Sequence, residues 1–329
     1  MSSAESTTTG LPLTFHPLVM ERVWGGRSLE TEYGRTLPKA GVPYGESWEL
    51  VDRAGEQSVV TGGPFENRSL HDLWTNHREP LFGGGSVGNP SERFPLLIKI
   101  LDARDTLSIQ VHPPASIAPE LGGEPKTEMW VIAHAEPDAC LYVGLKAGVT
   151  RSDFEKALAD GSVADVVHRI PVKAGDFIFI PSGRLHAIGA GLVIFEIQQN
   201  SDTTYRVFDW NRVGLDGKPR DLHVQESLAC IDFTDVEPSL GVEDSDGLLV
   251  SCAHFIVHRH RLDPGASRPS AAPALIGVVQ GSLHCGGAVF GSGDFFWLPP
   301  DGPGLLAGGS EGATYLHVRI PTEEAAGIS

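Results

Sequence analysis

The chain has 329 residues, of which 41% are apolar and 20% are charged, and its 42 acidic residues outnumber its 25 basic residues to give a net charge of −17. This composition excludes a collagen, a coiled coil and a wholly disordered chain. The acidic balance disfavours nucleic acid and membrane surfaces as partners, although a local basic pocket could still accept a small anion.

The N-terminus and the cysteines favour a cytoplasmic protein. The first residues lack the basic start and apolar run of a signal peptide, and no stretch approaches the roughly 18 apolar residues that a spanning helix needs. The four cysteines lie far apart without a C-x-x-C pair, which favours a reducing compartment. We therefore expect a cytoplasmic protein in which residues 1–12 form a disordered tail.

Short apolar runs separated by Gly and Pro predict a chain rich in β-strands. Eight strands are predicted in the first part of the chain, at residues 94–101, 107–112, 128–133, 139–145, 166–172, 176–181, 192–198 and 204–210. After Asp232 the sequence becomes acidic and loop-like, and four more strands are predicted at residues 255–262, 274–280, 294–298 and 315–320. We place a domain boundary there, between a catalytic domain at 13–235 and a second β domain at 236–329.

Helical signals are few. Ser69 precedes a short apolar stretch with Asp72 at the capping-box position, and Ser152 with Glu155 predicts a second short helix that Gly161 can end. A third helix is predicted at residues 223–231. Many short strands and few helices favour a sandwich or a closed barrel over βαβ units.

Two seven-residue segments, at 175–181 and 293–299, resemble each other. Each reads Gly-Asp-Phe, continues with three apolar residues and ends at proline, which predicts a tight turn followed by a buried strand. We interpret the likeness as a sign of a duplicated barrel.

The strand predicted at 107–112 has one polar face. Side chains alternate along a strand, so Ser108, Gln110 and His112 lie on the same side. In an apolar neighbourhood such a face indicates the lining of a cavity. The next strand places Lys126 and Glu128 on one face in the same way.

A histidine also follows a Gly/Pro turn in the pattern G-x5-P-x-G-x2-H. Together with the polar strand faces, this gives two imidazoles, one carboxylate and one amide oxygen, from Gln110, His112, Glu128 and His186. The set suits a divalent first-row metal that keeps room for water or substrate. We interpret the other strand histidines as structural, namely His168, His223, His254, His258 and His260.

The spacing of this set resembles the two-part cupin signature, and several segments resemble the type I mannose-6-phosphate isomerases in their short bacterial form. These segments extend from about residue 15 to 232 in the family's order, and the run from Gln199 to Arg206 is the most specific of them. The others are Trp24-Gly25-Gly26, Gly45-Glu46-Ser47-Trp48-Glu49, Phe94-Pro95-Leu96-Leu97-Ile98-Lys99, Leu107-Ser108-Ile109-Gln110-Val111-His112-Pro113 and Lys126-Thr127-Glu128.

The resemblance implies a mostly β fold of tandem cupin-like (jelly-roll) barrels with short helical insertions. Near Pro299 no histidine stands at the ligand position, so we expect the C-terminal barrel to bind no metal. It also implies a zinc-dependent aldose–ketose isomerase, with one zinc ion per chain, that interconverts mannose 6-phosphate and fructose 6-phosphate. The oligomeric state stays open between monomer and homodimer. Two departures from the family pattern, Pro114 and Met129, remove no ligand but leave room for a changed substrate preference.

Site roles follow from the same resemblance. By position, Gln110, His112, Glu128 and His186 match the zinc ligands, Arg206 matches the active-site arginine, and Lys126 and Ser108 match residues that meet the phosphate. The cis-enediol path also needs a base near C1 and C2. Glu196 is our candidate, and Lys99 or a hydroxide on the metal is the alternative. An ion pair of Glu196 with Arg206 or Lys99 would instead make it structural.

Two other functions remain open at this point. His112, His186 and Glu128 would also suit Fe(II) in a cupin dioxygenase. A non-catalytic sugar-phosphate-binding cupin would keep the pocket without turnover. Gln110 as a fourth ligand and the cations Lys126 and Arg206 favour a phosphosugar substrate.

Overall fold

The structure is a computed structural model that describes residues 10–86 and 89–321. The tail predicted at residues 1–12 falls mostly on residues 1–9, which lie outside the described residues. The described chain forms 18 strands and six short α-helices, which confirms the predicted mostly β fold class with short helical insertions. None of the described helices is both long and apolar enough to cross a membrane.

The chain divides into two compact units. The central unit comprises Val19–Trp48 and Leu97–Val242, and the terminal unit comprises Met1–Leu18, Glu49–Leu96 and Glu243–Ser329. The junction at residue 242 lies near the boundary expected from the sequence, but the grouping of residues 49–96 with the C-terminal segment was not expected. The assignment of domains to 13–235 and 236–329 stays a prediction.

Two sheets carry the central unit. Their strands are β1 Leu18–Gly26, β2 Tyr44–Leu50, β3 Leu96–Ala103, β4 Ile109–Val111, β5 Glu128–Ala135, β6 Cys140–Leu145, β7 Val167–Pro171, β8 Phe177–Ile180, β9 His186–Ile188, β10 Leu192–Gln199 and β11 Tyr205–Phe208. One sheet has the order β1-β2-β3-β10-β5-β8, and the other has the order β11-β4-β9-β6-β7. This arrangement brings β4, β5 and β9, which carry or adjoin the predicted metal ligands, into one unit.

Alternation along β4 separates its apolar face from its polar one. Ile109 and Val111 are fully buried in an apolar cluster that also contains Phe154 and Val163. Because successive side chains of a strand point to opposite faces, Gln110 points away from this cluster. Apolar packing on one face therefore fixes the direction of the polar residues on the other.

Six short helices connect the strands. They are α1 Ser28–Thr31, α2 Leu70–Asn76, α3 Arg78–Phe82, α4 Arg151–Asp160, α5 Val163–Val166 and α6 Val224–Cys230. Ser69 caps α2 as predicted, since its side chain accepts a hydrogen bond from the backbone N–H of Asp72 at 3.1 Å. The predicted start of α4 is wrong by two residues, because Thr150 and Asp153 form the capping box there. Gly161 ends α4 in the left-handed conformation, as predicted.

The terminal unit contains a third sheet. Its strands are β12 Leu248–Ser251, β13 Ile256–Leu262, β14 Ser267–Pro269, β15 Ala274–Cys285, β16 Ala288–Gly291, β17 Phe295–Leu298 and β18 Leu305–Arg319. The rings of Phe82 and Phe94 lie 5.0 and 5.6 Å from the ring of Trp297, and Trp74 contacts both phenylalanines. The indole N–H of Trp297 donates to the carbonyl of Leu81 at 2.7 Å. This aromatic cluster joins residues 49–96 to the C-terminal strands.

The two similar segments form the same turn. Gly175 and Gly293 have φ angles of +92° and +85°, a conformation that glycine adopts without strain. Each turn makes the same pair of backbone hydrogen bonds to a neighbouring strand. In the first turn, the N–H of Gly175 donates to the carbonyl of Ile132 at 2.8 Å, and the N–H of Ile132 donates to the carbonyl of Asp176 at 2.9 Å. In the second turn, the N–H of Gly293 donates to the carbonyl of Val278 at 2.8 Å, and the N–H of Val278 donates to the carbonyl of Asp294 at 3.0 Å. The sequence echo therefore corresponds to a structural one.

Candidate metal centre and active site

Three side chains of ligand type converge inside the central unit. Nε2 of His112 lies 3.5 Å from Oε2 of Glu128, and Nε2 of His186 lies 3.5 Å from Oε1 of the same carboxylate. All three residues are buried, and one ligand atom from each lies within 4.8 Å of the others. Three separate stretches of sequence thus share a common centre.

The strand register brings these residues together. His112 directly follows β4, Glu128 begins β5 and His186 begins β9. Gln110 is the register partner of His186 on one side and of Arg206 on the other. Directly opposite residues in a sheet project to the same face. Arg206, Gln110 and His186 therefore form one polar row across β11, β4 and β9.

Backbone carbonyls orient both imidazoles. Nδ1 of His112 donates to the carbonyl of Thr203, and Nδ1 of His186 donates to that of Arg184, each at 2.9 Å. This leaves the Nε2 lone pairs directed at Glu128, which is the arrangement that metal-ligating histidines use. Burial lowers the pKa of both rings, that of His186 to about 3, so both are neutral, as a ligand must be.

The centre also contains buried polar atoms without partners. Within the described part of the chain, Nε2 of His112 and both carboxylate oxygens of Glu128 have no hydrogen bond. Nζ of Lys126 forms an ion pair with Oε2 of Glu128, at 2.6 Å. Burial would raise the pKa of Glu128, yet Lys126 and the two imidazoles hold it well below its usual range. An ionised carboxylate and two neutral imidazole nitrogens fit a divalent cation.

Gln110 is placed to add a fourth ligand. Its Nε2 lies 3.3 Å from Nε2 of His186, and its Oε1 accepts a hydrogen bond from the hydroxyl of Ser108 at 3.2 Å. The two ends of an amide are assigned from such contacts, and a half-turn brings the oxygen beside the imidazole. Ser108 therefore contacts Gln110 directly.

A cavity of about 550 Å³ lies in the central unit, a volume suited to a small metabolite. Six of the nine predicted site residues line it, namely Lys99, Ser108, Gln110, Lys126, Glu196 and Arg206. The other three, His112, Glu128 and His186, are only 0–1% exposed and are not among the described lining residues. Of the predicted ligand set, Gln110 alone faces this cavity.

Glu196, the candidate base, belongs to a buried network. Its Oε1 accepts a hydrogen bond from the indole of Trp130 at 3.0 Å, and its Oε2 lies 3.4 Å from Nζ of Lys99. Burial raises the pKa of Glu196. The ion pair with Lys99, which the structural interpretation of Glu196 predicts, is present, and none with Arg206 is found among the described contacts.

Glu46 is a cavity residue to which the sequence analysis gave no chemical role. Its carboxylate binds Arg22 through two hydrogen bonds of 2.7 and 3.2 Å, accepts one from Trp48 and lies 3.7 Å from Nζ of Lys99. Burial would raise the pKa of Glu46, but Lys99 and Arg22 outweigh burial and lower it to about 2. Glu46 and Trp48 lie two residues apart, so a strand places them on one face, and this spacing was the signal that could have identified Glu46.

A second unpredicted group belongs to the segment after β11. Asp209 there is followed by Trp210 and Asn211, both with a φ of +55°, a conformation that costs side chains of this size about 1–3 kcal/mol each. The indole of Trp210 donates to the carbonyl of Leu107 at 2.7 Å and so holds the turn. The segment then returns to the cavity, where Arg220 forms part of the wall.

Comparison with known proteins covers most of the chain. Residues 13–122 match the family model described as phosphomannose isomerase type I, catalytic domain. The chain is 38% identical to the mannose-6-phosphate isomerase ManA of Bacillus subtilis (strain 168), over 88% of this chain and 93% of that protein. It is 37% identical to the mannose-6-phosphate isomerase of Streptococcus mutans, over 84% of this chain and 87% of the relative.

Solved structures agree. The fold matches the mannose 6-phosphate isomerase from Bacillus subtilis with a TM-score of 0.79 and 30% identity, over 94% of this chain and 99% of that one. A mannose 6-phosphate isomerase bound with zinc and yttrium shares the fold, with a TM-score of 0.70 and 18% identity, over 94% of this chain and all of that one. From the sequence relatives, the chain belongs to the type I mannose-6-phosphate isomerase family.

Proposed function

We propose that this protein is a zinc-dependent aldose–ketose isomerase that interconverts mannose 6-phosphate and fructose 6-phosphate through a cis-enediol. The observation that carries the proposal is the buried cluster of His112, Glu128 and His186, whose ligand atoms face one another. Nε2 of His112 and both oxygens of Glu128 have no hydrogen-bond partner among the described residues, and Nε2 of His186 lies 3.3 Å from the side-chain amide of Gln110. The names of the relatives support the substrate.

Four residues of the central unit would hold the zinc ion, one per chain: Gln110, His112, Glu128 and His186. Only Glu128 among them is anionic, so the site as a whole keeps a net positive charge. When bound, zinc supplies a Lewis acid for the sugar oxygens on which negative charge develops. Thr203 and Arg184 would keep the two imidazoles in the ligating tautomer through their carbonyls.

Glu196 is proposed as the base that moves a proton between C2 and C1. Burial raises its pKa, which suits a carboxylate that must accept a proton and return it. Trp130 and Lys99 hold its two oxygens and fix its position. Lys99 remains the alternative base, and ionised Glu46 balances its charge from the other side.

The phosphate end of the sugar is proposed to meet Ser108, Lys126 and Arg206 at the cavity wall. Binding energy from this remote group would orient the reacting carbons. Arg206 is the best placed of the three, because its Nε is buried without a partner in the described chain, whereas Lys126 already pairs with Glu128.

Metal analysis and a coupled assay on fructose 6-phosphate test the proposal. Purified protein should contain zinc, form mannose 6-phosphate, lose activity in EDTA and regain it on addition of Zn²⁺. His112→Ala should lose the metal, since it removes a ligand. Arg206→Ala should keep the metal but lower kcat/KM by about a hundredfold, as expected for a lost contact to a charged group.

Each result has an opposite that contradicts a part of the proposal. Unchanged kcat/KM in Arg206→Ala would show that the anchor is wrongly assigned. Bound iron with oxygen consumption would identify a cupin dioxygenase. Binding of fructose 6-phosphate without turnover, in protein that contains zinc, would identify a non-catalytic sugar-phosphate-binding cupin.

The cysteines support the proposed cytoplasmic location. All four, Cys140, Cys230, Cys252 and Cys285, are free thiols, and none of them is fully exposed. Free thiols are usual in a reducing compartment. The expectations of monomer or homodimer, and of no nucleic-acid or membrane partner, stay predictions.

A further inference from the structure

The cations that line the cavity differ in how completely they are neutralised. Lys126 lies 2.6 Å from Glu128, Lys99 lies between the carboxylates of Glu46 and Glu196, and Arg22 makes two hydrogen bonds to Glu46. Among the described contacts, by contrast, the side chain of Arg206 donates only through Nη1 to the carbonyl of Asp221, at 3.2 Å. A local surplus of positive charge therefore lies at Arg206, although the cavity wall also contains the carboxylates of Asp202 and Asp216.

Arg220 adds to this surplus. Its Nε and Nη2 donate to the two oxygens of Asp209 at 2.7 and 2.6 Å. The same carboxylate accepts two more hydrogen bonds from Arg212, at 3.0 and 2.8 Å. Asp209 thus serves two guanidinium groups. Arg212 has a second carboxylate partner, Asp105 at 3.5 Å, whereas Arg220 has no carboxylate other than Asp209 among the described contacts. Arg212 also binds the carbonyl of Thr106, whereas Arg220 faces the cavity.

Arg206 and Arg220 belong to neighbouring backbone segments. The backbone N–H of His223 donates to the carbonyl of Arg206 at 2.8 Å, and the guanidinium of Arg206 reaches the carbonyl of Asp221, next to Arg220. Burial and the positive charge of Arg220 lower the pKa of Arg206. Two like charges in one partly buried wall are unfavourable until an anion joins them.

We propose that Arg220, held in place by Asp209, is a second phosphate-binding residue, and that the phosphate of the substrate binds between Arg206 and Arg220. This inference rests on the proposed function, because it concerns how the phosphosugar is held. A phosphate dianion offers three oxygens, to which guanidinium N–H groups donate strong hydrogen bonds. Nε of Arg206 has no partner among the described residues, and Arg220 keeps Nη1 for phosphate because its Nε and Nη2 bind Asp209. Lys126 then serves mainly as the counter-ion of Glu128. The reacting sugar carbons, C1 and C2, would lie against the wall formed by Lys99, Gln110 and Glu196.

The test compares Arg220→Gln and Arg220→Lys with Lys218→Gln, which changes an exposed cation of the same segment that is not part of the described cavity wall. Binding of inorganic phosphate is measured by calorimetry, and KM and kcat are measured with fructose 6-phosphate. Arg220→Gln should weaken phosphate binding and raise KM on the order of tenfold to a hundredfold, with kcat little changed. Arg220→Lys should fall between it and the parent, and Lys218→Gln should match the parent.

The outcomes separate this inference from the proposed function. Phosphate affinity and KM that are unchanged in Arg220→Gln would overturn the inference, as would a fall in Tm or kcat without a change in phosphate affinity. If Arg220→Gln does not fold, an unchanged KM in Arg220→Lys overturns it. The parent protein could bind phosphate, lose that binding in Arg220→Gln, and yet not turn over fructose 6-phosphate. This result would support Arg220 as a phosphate-binding residue and contradict only the proposed isomerase activity.

Discussion

The turn at Gly175 in the central unit and the turn at Gly293 in the terminal unit share their backbone and differ in their chemistry. Glu128 pairs with Ile180, five residues after the first glycine, and Ala274 pairs with Leu298, five residues after the second. Alanine therefore stands where the metal centre has its carboxylate. In the same way, the position of Trp130 is held by Ile276, so the copy in the terminal unit is apolar.

The two turns share a backbone, so the side chains at the paired positions decide whether a carboxylate or an apolar group lies beside each turn. In the terminal unit, Ala274, Ile276 and Val278 are fully buried in an apolar cluster with Phe296. In the central unit, the same register positions place a carboxylate beside two imidazoles. Exchanging the residues at positions 128 and 274 tests this conclusion.

The largest effect is expected when the central unit receives the residue of the terminal one. Glu128→Ala removes the only anionic member of the proposed ligand set and leaves Lys126 buried without its counter-ion. Zinc affinity should fall by more than about a hundredfold, beyond the loss usual for an outer-shell partner. Metal content after dialysis measures this, and full zinc occupancy in the variant would contradict the assignment of Glu128.

The reverse exchange should affect stability. Ala274→Glu places a carboxylate at a fully buried position among apolar neighbours, with none of the cations that surround Glu128. The free energy of unfolding should fall by about 3–5 kcal/mol, because an unpaired charge is buried. Denaturant unfolding measures the change, and Ala288→Glu, at an exposed position of β16, is the matched control. Equal stability of the two variants would contradict the prediction.

A smaller effect on stability is expected from substituting a histidine of the terminal unit, His260. His112 and His186 face a carboxylate, whereas Arg268 donates to Nδ1 of His260 at 2.7 Å. Burial and the charge of Arg268 lower the pKa of His260 from 6.5 to about 4. The other groups that face it are His258, Tyr315, His317 and Asp246.

The direction in which stability changes with pH follows from proton linkage. Between pH 6.5 and about 4 the unfolded chain binds a proton at His260 that the folded chain refuses, so the contribution to stability is complete above 6.5 and is lost as the pH falls to 4. His260→Gln should reduce this acid loss by about 1–3 kcal/mol, since each unit of pKa is worth about 1.4 kcal/mol and partial exposure weakens the interaction. Tm measured across that range checks it against His284→Gln, an exposed histidine on β15. Parallel curves for all three proteins would contradict the prediction.

Much of the fold was predictable from the sequence, because most strands are apolar runs bounded by turns. All 12 predicted strands are present, and those missed are β1, β2, β9, β12, β14 and β16. Every residue of β2 is buried, so it shows no alternation, and β9 has only three residues. The start of α4 was misplaced because Thr150-Asp153 and Ser152-Glu155 are overlapping capping patterns, and tertiary packing selects the first.

The candidate site was predictable where it follows strand alternation. Ser108, Gln110 and His112 were placed by periodicity, and the structure brings Glu128 and His186 to them. Glu46 was missed because its role depends on Arg22 and Lys99, which only the folded sheet brings close. Arg220 lies in an irregular segment whose path depends on two left-handed residues, and no periodic pattern reports such a turn.

The aromatic cluster of the terminal unit has a consequence for how the chain is made. Leu81, whose carbonyl accepts the hydrogen bond from Trp297, leaves the ribosome 216 residues earlier than its partner. At usual rates of synthesis this delay is on the order of 10 to 40 seconds. For most of this interval Phe82 and Phe94 are translated but lack the indole that packs against them. The nascent chain therefore carries an uncovered aromatic surface until its last strands emerge, and chaperones have that interval in which to bind it.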